Sequence, residues 1–211
     1  MRPVVLGTMF GSRLNLNGDQ GNLLALRRYL QAAGFSVEIR SANGSQVALG
    51  CDFLLVGHGS AAAMQSIETA LSEFEWSRVS SEVPGLIVGS AYEWLAERGK
   101  VNETIATEDR DSQFEIGSLG PLKVLGYRNT TSGLPNLALN GRFICTMLHG
   151  PVLAKNPQLL DRAARAAVAK AGLDWPEKAP DSLIEWSETL NGLSASIWAL
   201  ECEEEFPRLA V

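Results

Sequence analysis

Short apolar runs alternate along the chain with longer stretches of helical periodicity, the arrangement of a parallel sheet with helices packed on it. Residues 3–9 predict a first strand, and 19–33 a helix with Leu23, Leu24, Leu26, Leu30 and Ala33 inward and Gly34 closing it. Strands are expected over 35–40 and 52–56, the latter running into Gly57-His58-Gly59. A helix over 64–77 carries Ile67, Leu71 and Phe74 on one face; a short strand at 86–88 ends in Gly89-Ser90-Ala91, and 92–98 turns helical. Between 104 and 139 the pattern loosens around Gly117, Gly120, Gly126 and Gly133, predicting a β-rich excursion rather than another strand–helix unit. A strand over 142–148 precedes His149-Gly150-Pro151. A helix follows over 156–171, and a helical tail bears Leu183, Trp186, Leu190, Leu193 and Trp198.

With 211 residues the chain suits one domain with an elaborated edge, read as 1–172 plus a C-terminal helical extension, 173–211, packed on it. Eighteen Lys and Arg against 24 Asp and Glu give a net charge of −6, and no compact basic run supports nucleic-acid binding. No apolar stretch approaches the roughly 18 residues of a bilayer span. The N-terminus reaches polar residues too soon for a signal peptide. The three cysteines, Cys51, Cys145 and Cys202, lack CxxC spacing and read as reduced thiols of a cytoplasmic protein. With His58 and His149 the only histidines, neither a metal site nor a cofactor is expected. The acidic run Glu201 to Glu205 reads as a solvated terminus.

In open parallel sheets, sites gather at the carboxyl ends of strands. Gly89-Ser90-Ala91 has the strand–turn–helix form that holds a nucleophile beside an oxyanion-binding N–H. His149 stands at a strand terminus, where a general base would sit. Each has a plainer reading, as a close-packing turn and a structural histidine, and His58 fits a loop residue equally well. Cys145 shares a strand face with His149 but at about 13 Å, too far for proton transfer, and Cys51 precedes a strand at the wrong sheet end. Both are read as structural.

Three segments carry a resemblance. Residues Asn15 to Asn22 (NLNGDQGN), the strand and turn from Pro84 to Leu95, and Thr146 to Pro157 (TMLHGPVLAKNP) resemble the corresponding blocks of the CobB/CobQ-type class I glutamine amidotransferases, most closely the glutaminase subunits of lipid II isoglutaminyl synthases. The resemblance implies a flavodoxin-like α/β domain, its mostly parallel sheet flanked by helices. It also implies glutamine hydrolysis by an elbow cysteine with a histidine base, feeding ammonia to a Mur-ligase-like synthetase. It places His149 at the base and Gly89 at the nucleophile; Gly59, Tyr92 and Arg128 fall in the substrate-binding segments.

Glycine has no side chain to form a thioester. Around it the family's Gly-Gly after the nucleophile is Ser90-Ala91, its Gln is Glu93, and its Gly-Gly-Gly-Gln-Asp turn is Gly57-His58-Gly59-Ser60-Ala61. The expectation is therefore a degenerate, non-catalytic subunit bound to a Mur-ligase-like synthetase. Asp19, Asn22, Lys155, Asn156 and the segment Trp186 to Trp198 are its candidate contact surfaces. The alternatives are an active amidohydrolase using Ser90, or an unforeseen nucleophile, with His149, and a binding protein for glutamine or an amino-acid-like ligand.

Overall fold

The computed structural model describes residues 2–202 and 206–211; 203–205, within the acidic run, lie outside the described residues. Alternating side chains of β1 (Val4–Met9), β3 (Phe53–Val56), β4 (Gly85–Val88) and β8 (Phe143–Thr146) are buried on both faces, so these strands form the centre of the sheet. With β2 (Val37–Ser41) and β7 (Leu137–Asn140) at the edges, the order is β2-β1-β3-β4-β8-β7, parallel except for β7.

Val4, Leu6, Leu55, Leu86 and Val88 face one apolar layer. Helices α1 (Gln20–Ala32), α8 (Pro157–Lys170) and α9 (Asp181–Glu201) cover it. Val5, Leu54, Val56, Ile87 and Cys145 face the other layer, covered by α2 (Ser45–Leu49), α3 (Ala61–Ser66), α4 (Glu68–Ser72), α5 (Trp76–Glu82) and α6 (Ser90–Glu97). The excursion is a long antiparallel hairpin, β5 (Thr107–Leu119) and β6 (Leu122–Ser132).

Three expectations change. The helix over 64–77 is broken into α3, α4 and the start of α5, because Ile67 (φ −117°, ψ 5°) and Glu75 (φ −77°, ψ 61°) leave helical geometry. Ile67, Leu71 and Phe74 are buried all the same. The single strand over 142–148 splits: after Thr146 the chain leaves the main sheet, and β9 (Leu148–His149) pairs with β6 instead. The Thr146 hydroxyl makes the break, donating to Asn136 O (2.7 Å) and accepting the Leu148 N–H (3.0 Å). Cys145 and His149 therefore belong to different sheets, and the shared strand face inferred from their spacing does not exist.

The third concerns the retained motifs. Asp19 and Asn22 have no exposed surface and Asn156 is 3% exposed, so they are not a contact surface. Asn22 donates to Asp19 O (2.9 Å) and Gly150 O (3.1 Å) and accepts the Leu153 N–H (2.8 Å). Asn156 accepts the Leu125 N–H (2.8 Å) and donates to Leu125 O (2.8 Å) and Val152 O (2.7 Å). These amides are internal ties between the β1–α1 loop, the hairpin and α7 (Val152–Lys155). Nor are the C-terminal tryptophans surface anchors: Trp198 is 1% exposed, and Trp186 packs edge-on against Tyr29 at 5.4 Å. The large apolar side chains that α9 exposes are Ile184, Leu193 and Leu200.

Candidate functional site

The carboxyl ends of β3, β4 and β9 converge on one point, occupied by His58, Gly89 and His149. Gly89 caps α6 with φ +55° and ψ −119°, backbone that a side chain resists. It is the elbow residue, and Ser90 follows it as the first residue of α6. A Cβ on Gly89 would stand 2.5 Å from His58 Nδ1 and 2.7 Å from His149 Cε1. The space that an elbow side chain requires is filled by the two imidazoles, which meet edge-on with ring centres 4.5 Å apart.

His58 is fixed from several sides. Its N–H donates to Asp19 Oδ2 (3.0 Å), its carbonyl accepts the Leu16 N–H (3.0 Å), and its Nδ1 accepts the Ser90 N–H (3.0 Å). An Nδ1 that accepts places the ring proton on Nε2, in the neutral form; burial also lowers the pKa of His58. The loop before α1 reaches this point only because residue 57 is glycine: a Cβ there would lie 2.2 Å from Leu14 O.

Two backbone N–H groups flank the elbow, where an oxyanion would be bound. The Ser90 N–H is taken by His58, and the Gly59 N–H donates to Ser90 Oγ (2.9 Å). Ser90 lines a cleft with Met64, Gln65, Glu68 and Trp94, not the cavity that His149 lines. Gly59 thus acts through its backbone in holding Ser90.

His149 is 5% exposed, and its Nδ1 has no hydrogen-bond partner among the described residues. Burial, then the neighbouring His58, pushes its pKa down to about 4, so it is neutral at pH 7. Asp19 moves the other way: burial raises its carboxyl to about 6, against the pull of backbone N–H groups including that of His58. A cavity of about 240 Å³ opens beside the histidines, walled by Glu93, Arg110, Asn129 and Thr130. There the Thr130 hydroxyl donates to Glu93 Oε1 (2.7 Å).

The other expected site residues lie apart from this cavity's walls. Arg128 is buried and spends its guanidinium on Leu134 O (3.0 Å), Asn136 Oδ1 (2.7 Å) and Ser132 O. Tyr92 is fully buried, and its phenol is raised by burial and by the nearby Glu103. Burial raises the thiol of Cys145 well above the ordinary range and that of Cys51 to about 11, so neither is an activated nucleophile. No cluster of three or more His, Cys, Asp and Glu suited to a metal occurs among the described residues. No described helix is long and apolar enough to cross a membrane.

No pattern in the chain marked His58 as the group that fills the elbow; its two glycine neighbours indicated a turn and nothing more. Glu93 was visible only as a departure from a motif, and Arg110 not at all.

No protein-family profile matches the chain. Among characterised proteins it is similar to the lipid II isoglutaminyl synthase (glutamine-hydrolyzing) subunit GatD of Staphylococcus aureus (strain N315), 22% identical over 231 residues, covering 88% of this chain and 93% of that one. Solved structures similar to it include a glutamine amidotransferase from Thermotoga maritima (13% identity, 97% of this chain and all of that one, TM-score 0.46). Another is the glutaminase domain of Trypanosoma brucei CTPS with bound acivicin (13% identity, 86% and 99%, TM-score 0.47). The chain is a class I glutamine amidotransferase-like domain, a distant homologue of GatD.

Proposed function

We propose that this protein is a non-catalytic amidotransferase-like subunit that binds a Mur-ligase-like synthetase in the cytoplasm, within or derived from peptidoglycan amidation. The observation that carries the loss of catalysis is the elbow itself. Glutamine hydrolysis of the GatD type needs a thiolate, a base within reach of it, and N–H donors aimed at the developing oxyanion. Residue 89 has no side chain, His58 fills its space, and both flanking N–H groups already have acceptors on His58 and Ser90. His149 keeps the position of the base with nothing to deprotonate.

The homology to a synthase subunit supports the partnership, and the exposed leucines of α9, Leu193 and Leu200, give it an apolar foothold. Reading Ser90 as a substitute nucleophile has less support, since its Oγ is held by the Gly59 N–H and lines a different cleft from His149.

The test is a glutaminase assay on the isolated protein and on the protein co-expressed with a Mur-ligase-like synthetase, with light scattering of the pair. Glutamate release stays at background and one species appears at the summed mass. Glutamate release lost in Ser90→Ala would establish the hydrolase instead, and two separate monomers at micromolar concentration would remove the partnership.

A further inference from the structure

A second cavity, of about 290 Å³, shares only Asn129 and His149 with the one beside the elbow. Asn17 from the β1–α1 loop, Tyr127 from β6, Gly150 and Pro151 after β9, and Lys155 at the end of α7 complete its wall. Its chemistry is one-sided: Lys155 supplies an ammonium, and no Asp or Glu lines it.

Among the described residues, the Lys155 ammonium has only neutral groups within direct reach. Its Nζ donates one long hydrogen bond to His149 O (3.5 Å) and sits 5.5 Å from the centre of the Phe114 ring. Among the described residues no carboxylate forms an ion pair with it. Glu201, at the end of α9, favours its charged form from farther off, while burial lowers its pKa. A half-buried ammonium with one poor hydrogen bond has two donors to spend, and an anion is the group that uses them best.

Asn129 points the same way. Its Oδ1 already accepts from Arg110 Nε (3.0 Å) and Ser112 Oγ (2.9 Å), so the side chain has its NH₂ left to offer. The Tyr127 hydroxyl adds a third donor at the rim, where that residue is 37% exposed.

We propose that Lys155, Asn129 and Tyr127 form a binding site for the oxyanion of a small ligand, a carboxylate or a phosphate, with Lys155 as its counter-charge. The site is independent of the elbow's chemistry, because none of its donors belongs to the nucleophile, the oxyanion N–H groups or the His58 contact. It stands whether or not the protein hydrolyses glutamine or binds a ligase.

The experiment is isothermal titration of the full chain at low ionic strength with L-glutamate and, separately, inorganic phosphate. Lys155→Met, Lys155→Arg and the remote Arg98→Ala are compared with the wild type, and thermal melts confirm that each is folded. One of the two anions binds the wild type and Arg98→Ala alike, weakens about tenfold or more in Lys155→Met, and keeps most of its affinity in Lys155→Arg. Which anion binds identifies the ligand as carboxylate or phosphate. Failure of both to bind the wild type at about 10 mM overturns the proposal. Equal binding by a folded Lys155→Met does so as well. If Lys155→Met does not fold, a folded Lys155→Arg with Asn129→Ala decides: binding unchanged by loss of the amide overturns it.

Discussion

Replacing Gly89 by alanine puts the account of the elbow under direct strain. The backbone there has φ +55°, which costs a non-glycine residue about 1–3 kcal/mol. The new Cβ would stand 2.5 Å from His58 Nδ1, so the imidazole must swing away and release the Ser90 N–H, at about 1 kcal/mol more. The loss comes to about 2–4 kcal/mol, or roughly 5–15 °C in Tm for a chain of this length. Urea unfolding followed by circular dichroism, with the thermal melt beside it, measures it. His58→Ala removes the nearer of the two obstacles, leaving His149 Cε1 at 2.7 Å, so the double variant should lose less than the two single ones together, by about 1 kcal/mol or more. A Gly89→Ala protein that melts within about 2 °C of the wild type, or strict additivity in the double variant, refutes the claim that His58 occupies the elbow. The same contacts predict that Gly89→Cys fails to gain glutaminase activity, since its thiol would enter space that His58 holds.

Acid stability separates two buried groups of opposite sign. His149, pushed down to about 4, binds fewer protons in the native state than in the unfolded chain between there and its ordinary value of 6.5, so its contribution falls as pH drops through that window. Asp19, raised to about 6, binds more protons when folded, so its contribution is present at low pH and is lost as pH rises toward 6. Urea midpoints should therefore show His149→Gln gaining stability on acidification across the window and Asp19→Asn losing it; parallel slopes would contradict both shifts. Asn156→Ala strips three buried hydrogen bonds and leaves Leu125 unpaired, for a loss of about 2–4 kcal/mol by denaturant titration. Leu200→Glu, on a side chain 82% exposed, should hold the free protein within about 0.5 kcal/mol of wild type while weakening the proposed complex with a Mur-ligase-like synthetase in light scattering.

The parallel core was legible in the sequence because β1, β3, β4 and β8 are buried on both faces and appear as short, mostly apolar runs. The hairpin was legible in outline from its glycines. The split after Thr146 was not, because residues 143–149 stay buried while their strand partners change from β4 to β6. Burial also misled the reading of Asp19, Asn22 and Asn156: polar side chains in a turn look like surface, yet each finds its partners within the fold. Gly89 and His149 were singled out by motif resemblance, whereas His58 entered the site through contacts with chain 32 and 91 residues away, which no local pattern encodes.

The order of the sheet also bears on how the protein emerges from the ribosome. The far side of β4 pairs only with β8, which begins at Phe143, long after β4 ends at Val88. At about 5–20 residues per second, that apolar strand spends several seconds with an open edge during synthesis. An unpaired hydrophobic edge is a template for aggregation. Substitutions in β8 that slow its docking should therefore appear first as insoluble product at high expression temperature, before any loss of stability shows in the protein that reaches the native state.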